Sequence, residues 1–154
     1  MIQLAGISRT FLVGDQQVHA LRAIDLSFED GEYAAIMGPS GSGKSTLLNI
    51  LGLLDRPDAG SYRLDDMETT SLSEERRSRL RRDRIGFVFQ SFHLIPRLTA
   101  AENVELPLVL AGLAPKERRQ RVEEILRAVG LSSRAHHRPD QLSGGQRQRV
   151  AIAR

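Results

Sequence analysis

The chain has 154 residues and no cysteine, which bounds it to about one compact domain and excludes a disulfide framework, a thiolate nucleophile and a cysteine-held metal. Hydrophobic residues at 40% and charged residues at 27% are ordinary proportions for a globular protein, while aromatics at 5% leave little material for stacking on nucleic-acid bases. The net charge is +3, and no apolar run approaches the roughly 20 residues needed to cross a bilayer.

The start, Met1-Ile2-Gln3-Leu4-Ala5, lacks the basic residues and long apolar core of a secretion signal, so the polypeptide is expected to stay on the side of the membrane where it is made. Residues 2–11 read as a strand, Gly14-Asp15 as a turn, and residues 18–28 as a second strand with Leu21, Ile24, Leu26 and Phe28 at its apolar positions. Together they predict an antiparallel β-layer. After the turn Asp30-Gly31, the run Tyr33-Ala34-Ala35-Ile36-Met37 is short and mostly apolar, as a buried strand should be.

Gly38-Pro39-Ser40-Gly41-Ser42-Gly43-Lys44-Ser45-Thr46 follows, and it fits the G-x-x-x-x-G-K-[ST] pattern of a phosphate-binding loop. Thr46-Leu47-Leu48-Asn49-Ile50-Leu51 then has helix-forming composition as far as Gly52. Strand, glycine loop and helix in that order make an anion trap. The helix start offers unpaired N–H groups, and the glycines let the backbone curl around phosphate oxygens. Lys44 is expected to reach the β- and γ-phosphates of a nucleoside triphosphate, and the Ser45 hydroxyl to ligate Mg²⁺.

Asp55-Arg56-Pro57-Asp58-Ala59-Gly60 reads as a turn, residues 61–64 as a short strand, and Ser73 with Glu74 and Glu75 as a capped helix start. The helix that follows carries Arg76, Arg77, Arg79, Arg81, Arg82 and Arg84, and is expected on the surface. Such a run, echoed at Arg118, Arg119 and Arg121, can serve nucleic acid, but with no aromatics interleaved a solvated helix face, or a contact with anionic lipid headgroups beside a membrane partner, is the better reading. Ile85-Gly86-Phe87-Val88-Phe89 is a second buried-strand candidate, ending at Gln90. Residues 91–140 read as a small helical subdomain inserted into an α/β core. Thr99-Ala100-Ala101-Glu102 opens one helix as a capping box, and Pro107 should bend or interrupt it. Another helix opens at Pro115, carries Val122, Ile125, Leu126 and Val129 at spacings of three and four, and closes at Gly130. His19, His93, His136 and His137 show no metal-ligand spacing, and Asp65-Asp66 reads as a turn without chemistry.

Leu142-Ser143-Gly144-Gly145-Gln146 precedes a last helical run, and by itself is one more capped helix start. With the phosphate loop and the Gln90 that ends Phe87-Val88-Phe89, it makes three motifs in order, and in these the whole chain resembles the ATP-binding subunits of ABC transporters. Gly52-Leu53-Leu54-Asp55-Arg56-Pro57, residues 85–92 and Glu102-Asn103-Val104-Glu105-Leu106-Pro107 look like the macrolide-export and lipoprotein-release branch. The fold implied is a P-loop NTPase core with the N-terminal β-layer and the inserted helical subdomain. The implied divisions are 1–90 for β-layer and loop, 91–140 for the subdomain, and 141–154 for the signature and its helix.

The resemblance also implies roles. Gly38, Ser40, Gly41, Gly43, Lys44, Ser45 and Thr46 would wrap the ATP phosphates, and Phe11 would stack on adenine where the family more often has Tyr. Gln90 would be the catalytic-site residue, reaching Mg²⁺ and the attacking water. Ser143, Gly144, Gly145 and Gln146 would bind the ATP held by an opposite subunit, in a head-to-tail homo- or heterodimer. The expected partners are that second subunit and a transmembrane permease, with no nucleic acid, and the expected location is the cytoplasmic face of the membrane. In the family an apolar strand ending in Asp and Glu follows, with a switch His farther on. These lie outside the 154 residues, so the piece alone is expected to bind ATP weakly and turn it over negligibly. A cell-division type ATP-binding scaffold is the alternative. The gap from Gln90 to Leu142 is too short for the coiled coils of DNA-maintenance ATPases, and a small nucleotide kinase has no use for the signature.

Overall fold

β1 (Ile2–Val13) and β2 (Gln16–Phe28) pair as an antiparallel hairpin, closed by a tight turn in which Gly14 takes φ 61°. In an unbroken strand Leu4 and Ile7, three residues apart, would face opposite sides. Both are buried, because the pairing slips between them at Gly6, whose φ is 63°. Ala23, at φ 46°, marks the matching irregularity on β2. Side chains take up the displaced donors: Gly6 N–H donates to Asp25 Oδ1 at 2.7 Å, and Ala23 N–H to Ser8 Oγ at 2.9 Å.

The computed structural model describes residues 1–154, which fold as two compact units, Met1–Phe87 and Val88–Arg154. In the first, β3 (Ala59–Leu64) pairs with the free edge of β1 and β4 (Met67–Glu68) pairs with β3, giving the antiparallel order β2-β1-β3-β4. The β3–β4 turn is Asp65-Asp66, both left-handed at φ 47° and 64°, the conformation a two-residue hairpin turn prefers. α1 (Lys44–Leu51) lays Leu47 and Ile50 on this sheet, where they meet Leu4, Ile7, Leu21, Leu53, Tyr62 and Leu64. The Tyr62 hydroxyl donates to the Leu51 carbonyl at 2.8 Å, and burial pushes its phenol up to about 12.

α2 (Glu74–Arg84) starts where expected, with Ser73 Oγ accepting the Arg76 N–H. Its arginines are not all on the surface, however. Arg77 is 4% exposed and donates to the carbonyls of Leu53 at 3.1 Å and Asp55 at 2.7 Å and to Glu74 at 2.7 Å, so the charge is buried with its donors satisfied.

Two expected strands are absent. Residues 33–37 run as irregular backbone with Tyr33 98% and Met37 88% exposed, and residues 85–89 likewise lie outside any strand, with Val88 59% exposed. A buried parallel strand draws its hydrogen bonds from neighbouring strands on both sides. The four strands of this chain pair only with one another, so neither apolar run has a ladder to join.

The second unit is helical. α3 (Ala100–Leu110), α4 (Pro115–Ala128) and α5 (Gly144–Ala153) gather Ala100, Val104, Val122, Leu126, Leu131, Leu142 and Val150 into one core. The predicted capping box is complete: Thr99 Oγ1 accepts the Glu102 N–H at 3.2 Å, and Glu102 Oε2 accepts the Thr99 N–H at 2.7 Å. α3 nevertheless runs unbroken through Pro107. The ring removes only the bond to the Asn103 carbonyl, and the ladder resumes with Ala111 N–H on the Pro107 carbonyl at 2.9 Å. α4 ends at Gly130, φ 69°, with Gly130 N–H on the Arg127 carbonyl and Leu131 N–H on that of Leu126, so the buried pair Leu126–Leu131 locks the end. Asn103, fully buried, uses its whole amide: Oδ1 accepts the Ile95 N–H at 2.8 Å, and Nδ2 donates to the carbonyls of Ile95, Leu98 and Thr99.

Glu68 ties the β3–β4 hairpin together by accepting from the Ser61 and Thr70 hydroxyls and from the N–H groups of Tyr62 and Thr70. Burial pushes its carboxyl up, but these bonds outweigh burial and bring it from 4.5 down to about 2. A lowered folded value means the stabilisation is complete above pH 4.5 and is lost as pH falls towards 2. Glu68→Gln in the intact protein should lower stability at neutral pH by about 1 kcal/mol and flatten that acid-side loss, as read from urea midpoints across pH.

Candidate nucleotide-binding site

The phosphate loop lies between irregular residues 33–37 and α1, and its shape is set by a close approach to the sheet. Gly43 stands at the N-cap of α1 with φ 86°, and a Cβ there would lie 2.3 Å from the Ala20 carbonyl oxygen on β2. No side chain fits that gap. Gly41, at φ 80°, has open space around it, so its glycine serves conformation alone. Ser42 N–H closes a turn on the Pro39 carbonyl at 3.3 Å, and the first bond of α1 is Leu47 N–H to the Gly43 carbonyl at 2.9 Å. The N–H groups of Lys44, Ser45 and Thr46 therefore stand ahead of the helical ladder, at the positive end of the helix. The Lys44 ammonium lies inside the loop, donating to the carbonyls of Gly38 at 3.0 Å and Pro39 at 2.6 Å and to Ser42 Oγ at 3.4 Å. Ser40 and Ser45 are exposed and Thr46 half-buried. Donors, a cation and a backbone cradle thus converge on one short loop, an arrangement suited to a multiply charged phosphate chain.

Phe11 belongs to the same unit. It pairs with Val18 on β2, two residues before the Ala20 whose carbonyl covers Gly43, about 7 Å along the strand. The ring is half-buried, and the Arg9 guanidinium carbon lies 4.8 Å from its centroid. Nothing in the local sequence around Phe11 announces Arg9. Only their spacing of two along one strand, together with the acids Asp55 and Asp58 far along the chain, could have suggested it.

Gln90 and the signature residues belong to the second unit. Gln90 is exposed at a turn, and the next residues are bent sharply, with Phe92 at φ 59° and His93 at φ 48°. That turn is held against α5. Arg154 donates to the His93 carbonyl at 2.7 Å and to that of Phe92 at 3.4 Å, while the Arg147 guanidinium lies 5.6 Å from the Phe92 ring centroid. Phe89 and His93 stack, with centroids 4.5 Å apart. These arginine contacts carry no local sequence signal, since the residues they join are more than 50 positions apart.

α5 begins with Ser143 as its cap. Ser143 Oγ accepts the Gln146 N–H at 3.3 Å, and Gln146 Oε1 accepts the Ser143 N–H at 2.9 Å. Gly144 and Gly145, exposed and without side chains, occupy the first turn between them, so their N–H groups point out of the helix end unobstructed. Leu142 is buried and pins the turn to the core. No cluster of three His, Cys, Asp or Glu side chains could hold a metal alone. A cation here would need its other oxygens from a ligand.

Residues 21–154 match the family model described as ABC transporter. The chain is 55% identical over all its 154 residues to the macrolide export ATP-binding/permease protein MacB of Marinobacter nauticus, covering 24% of that protein's length. It is 51% identical to the uncharacterized ABC transporter ATP-binding protein YknY of Bacillus subtilis, covering 67% of it. The chain therefore spans about a quarter of the macrolide-export protein and two thirds of the shorter relative. Among solved structures it resembles the dimeric ATP-binding cassette MJ0796 in a post-hydrolysis state bound to ADP and Pi, with TM-score 0.88 and 48% identity over 99% of this chain and 68% of that one.

The two loop glycines should separate on mutation. Gly43→Ala is expected to cost about 3 kcal/mol and abolish binding of a fluorescent ATP analogue, because the methyl would lie 2.3 Å from the Ala20 carbonyl oxygen, backbone that cannot swing aside. Gly41→Ala should cost about 1 kcal/mol, the strain of a left-handed alanine, and leave measurable binding. Thermal unfolding and fluorescence titration of the intact protein check both.

Proposed function

The chain belongs to the ABC transporter family, and from that membership we propose that it is the ATP-binding part of a transporter, coupling ATP binding and hydrolysis in a head-to-tail dimer to a transmembrane permease. The observation that carries the proposal is the loop at the start of α1. Its Gly43 is pressed under the Ala20 carbonyl, its first N–H groups are unpaired, and its Lys44 ammonium is already placed among them.

A triphosphate would take the N–H groups of the loop and α1, with Lys44 exchanging the carbonyls of Gly38 and Pro39 for phosphate oxygens. Gly38, Ser40, Gly41, Gly43 and Thr46 shape and line that cradle, and Phe11 offers a ring to the base. Mg²⁺ takes oxygen donors, so the Ser45 hydroxyl, the Gln90 amide oxygen and the phosphates suit it, and when bound it neutralises charge on the transferring phosphoryl group. Gln90 would also orient the attacking water, and its turn, seated on α5, would carry the state of the membrane partner to the site. The N–H groups of Gly144 and Gly145 and the Ser143 hydroxyl would meet the γ-phosphate bound by the opposite subunit, with Gln146 keeping that cap in shape. We read residues 1–90 as the nucleotide half, 91–140 as the helical subdomain and 141–154 as the signature with its helix.

Export is carried over from the relatives named for macrolide export, and cargo selection is assigned to the permease. No helix is long and apolar enough to cross a membrane, which fits a place against the cytoplasmic face beside such a permease.

In the intact protein, Lys44→Ala should lower ATPase turnover by at least about two orders of magnitude. Ser143→Arg should keep ATP binding but prevent ATP-dependent dimerisation, followed by light scattering. A Ser143→Arg protein that still dimerises with ATP would remove the signature from the proposed role.

A further inference from the structure

Phe11 raises a question of orientation that a tyrosine would not. A phenyl ring has no polar atom with which to fix itself, so whatever holds it in place must lie against its face or its edge. Arg9, two residues earlier on β1, does so from the same side of the strand, with its guanidinium carbon 4.8 Å from the ring centroid.

That guanidinium is itself anchored. Its Nε donates to Asp55 Oδ2 at 3.1 Å and its Nη2 to Asp55 Oδ1 at 3.0 Å, a two-pronged contact, while Nη1 donates to Asp58 Oδ1 at 2.6 Å. The other Asp58 oxygen accepts the Thr10 N–H at 2.6 Å, and that bond, with Arg9, holds the Asp58 carboxyl below its ordinary range. Asp55 is fixed in turn to the end of the helix that begins at the phosphate loop, since its N–H donates to the Asn49 carbonyl at 3.1 Å. One arginine therefore connects the ring to the far end of that helix.

We infer that Arg9 is a positioning residue for the nucleotide base: anchored by Asp55 and Asp58, it closes one face of the Phe11 ring and leaves the opposite face as the surface on which the base stacks. The inference rests on the reading of Phe11 as the base platform. Its energetic content is preorganisation, because a ring already held in its binding orientation loses less freedom when the base arrives. It also explains how phenylalanine serves where a hydroxyl is missing.

The rival role is purely structural, with Arg9 holding only the turn after α1. Inorganic tripolyphosphate separates the two, because it can fill the phosphate loop but has no base. Binding of ATP and of tripolyphosphate, each with Mg²⁺, is measured by calorimetry on the full-length protein. Arg9→Met, which keeps the apolar stem, is expected to weaken ATP about fivefold and leave tripolyphosphate within about twofold. Arg9→Lys should recover part of the loss. In a Phe11→Ala background, Arg9→Met should add nothing further.

Equal losses for both ligands, or no loss for ATP, would overturn the inference while leaving Phe11 as the platform. Wild-type ATP affinity in Phe11→Ala would instead remove the platform, and the inference with it. Should Arg9→Met fail to fold, Asp58→Asn gives the same reading. Its amide oxygen still accepts the Thr10 N–H while the contact to Arg9 is lost, and the same selective weakening of ATP is expected.

Discussion

The contact between Gly43 and the Ala20 carbonyl sets the geometry of the first unit. It presses the N-terminus of α1 onto β2, and the rest of that helix is then fixed at its other end. Leu54 and Asp55 return their N–H groups to the Asn49 carbonyl, Tyr62 donates to that of Leu51, and Arg77 and Arg81 both donate to that of Leu53. Leu53 is left-handed at φ 56°, so its carbonyl turns out of the helix to meet them. Two guanidinium groups at the C-terminal end complement the negative end of the helix dipole. A phosphate loop needs a rigid base, and here the helix behind it is clamped at both ends.

Much of this was legible because it is local. Ser73, Thr99 and Ser143 cap the three helices expected of them, since a cap needs only a short polar side chain and the N–H groups two or three residues on. Gly130 ends α4 and Gly14 turns the first hairpin for equally local reasons. The irregularities at Gly6 and Ala23 were not legible, because a strand read by alternation alone predicts that Leu4 and Ile7 part company. The strands expected at 33–37 and 85–89 failed for the opposite reason. Their composition is apolar, but a strand exists only beside another strand, and composition says nothing about the neighbour. Pro107 does not interrupt α3. One missing bond in the third turn does not outweigh the packing of Val104 and the anchoring of Asn103 in the turns before it.

The site divides along the same line. The glycine loop and the signature are contiguous stretches whose spacing encodes their shape, so their geometry followed from the motif. The contacts that hold Phe11 and the turn after Gln90 in place join residues far apart along the chain. Arg9 meets acids 46 and 49 residues away, and Arg154 reaches carbonyls 61 and 62 residues back. Such pairs become visible only once strand register and helix packing are known. They also show what a short motif leaves out, since the motif names the atoms that face the ligand and not those that hold them still.

The buried amide of Asn103 has a consequence for the order in which the second unit assembles. All its partners lie four to eight residues earlier, so each bond closes only a very short loop. Loops of that size close in roughly 10–100 ns, whereas contacts between distant parts of the chain wait on a larger loss of chain entropy. The turn ahead of α3 can therefore form while the rest of the unit is still unstructured, and hand the growing bundle a finished corner. A residue that looks in the folded state like one more satisfied polar group is, along the folding coordinate, one whose contacts can close early.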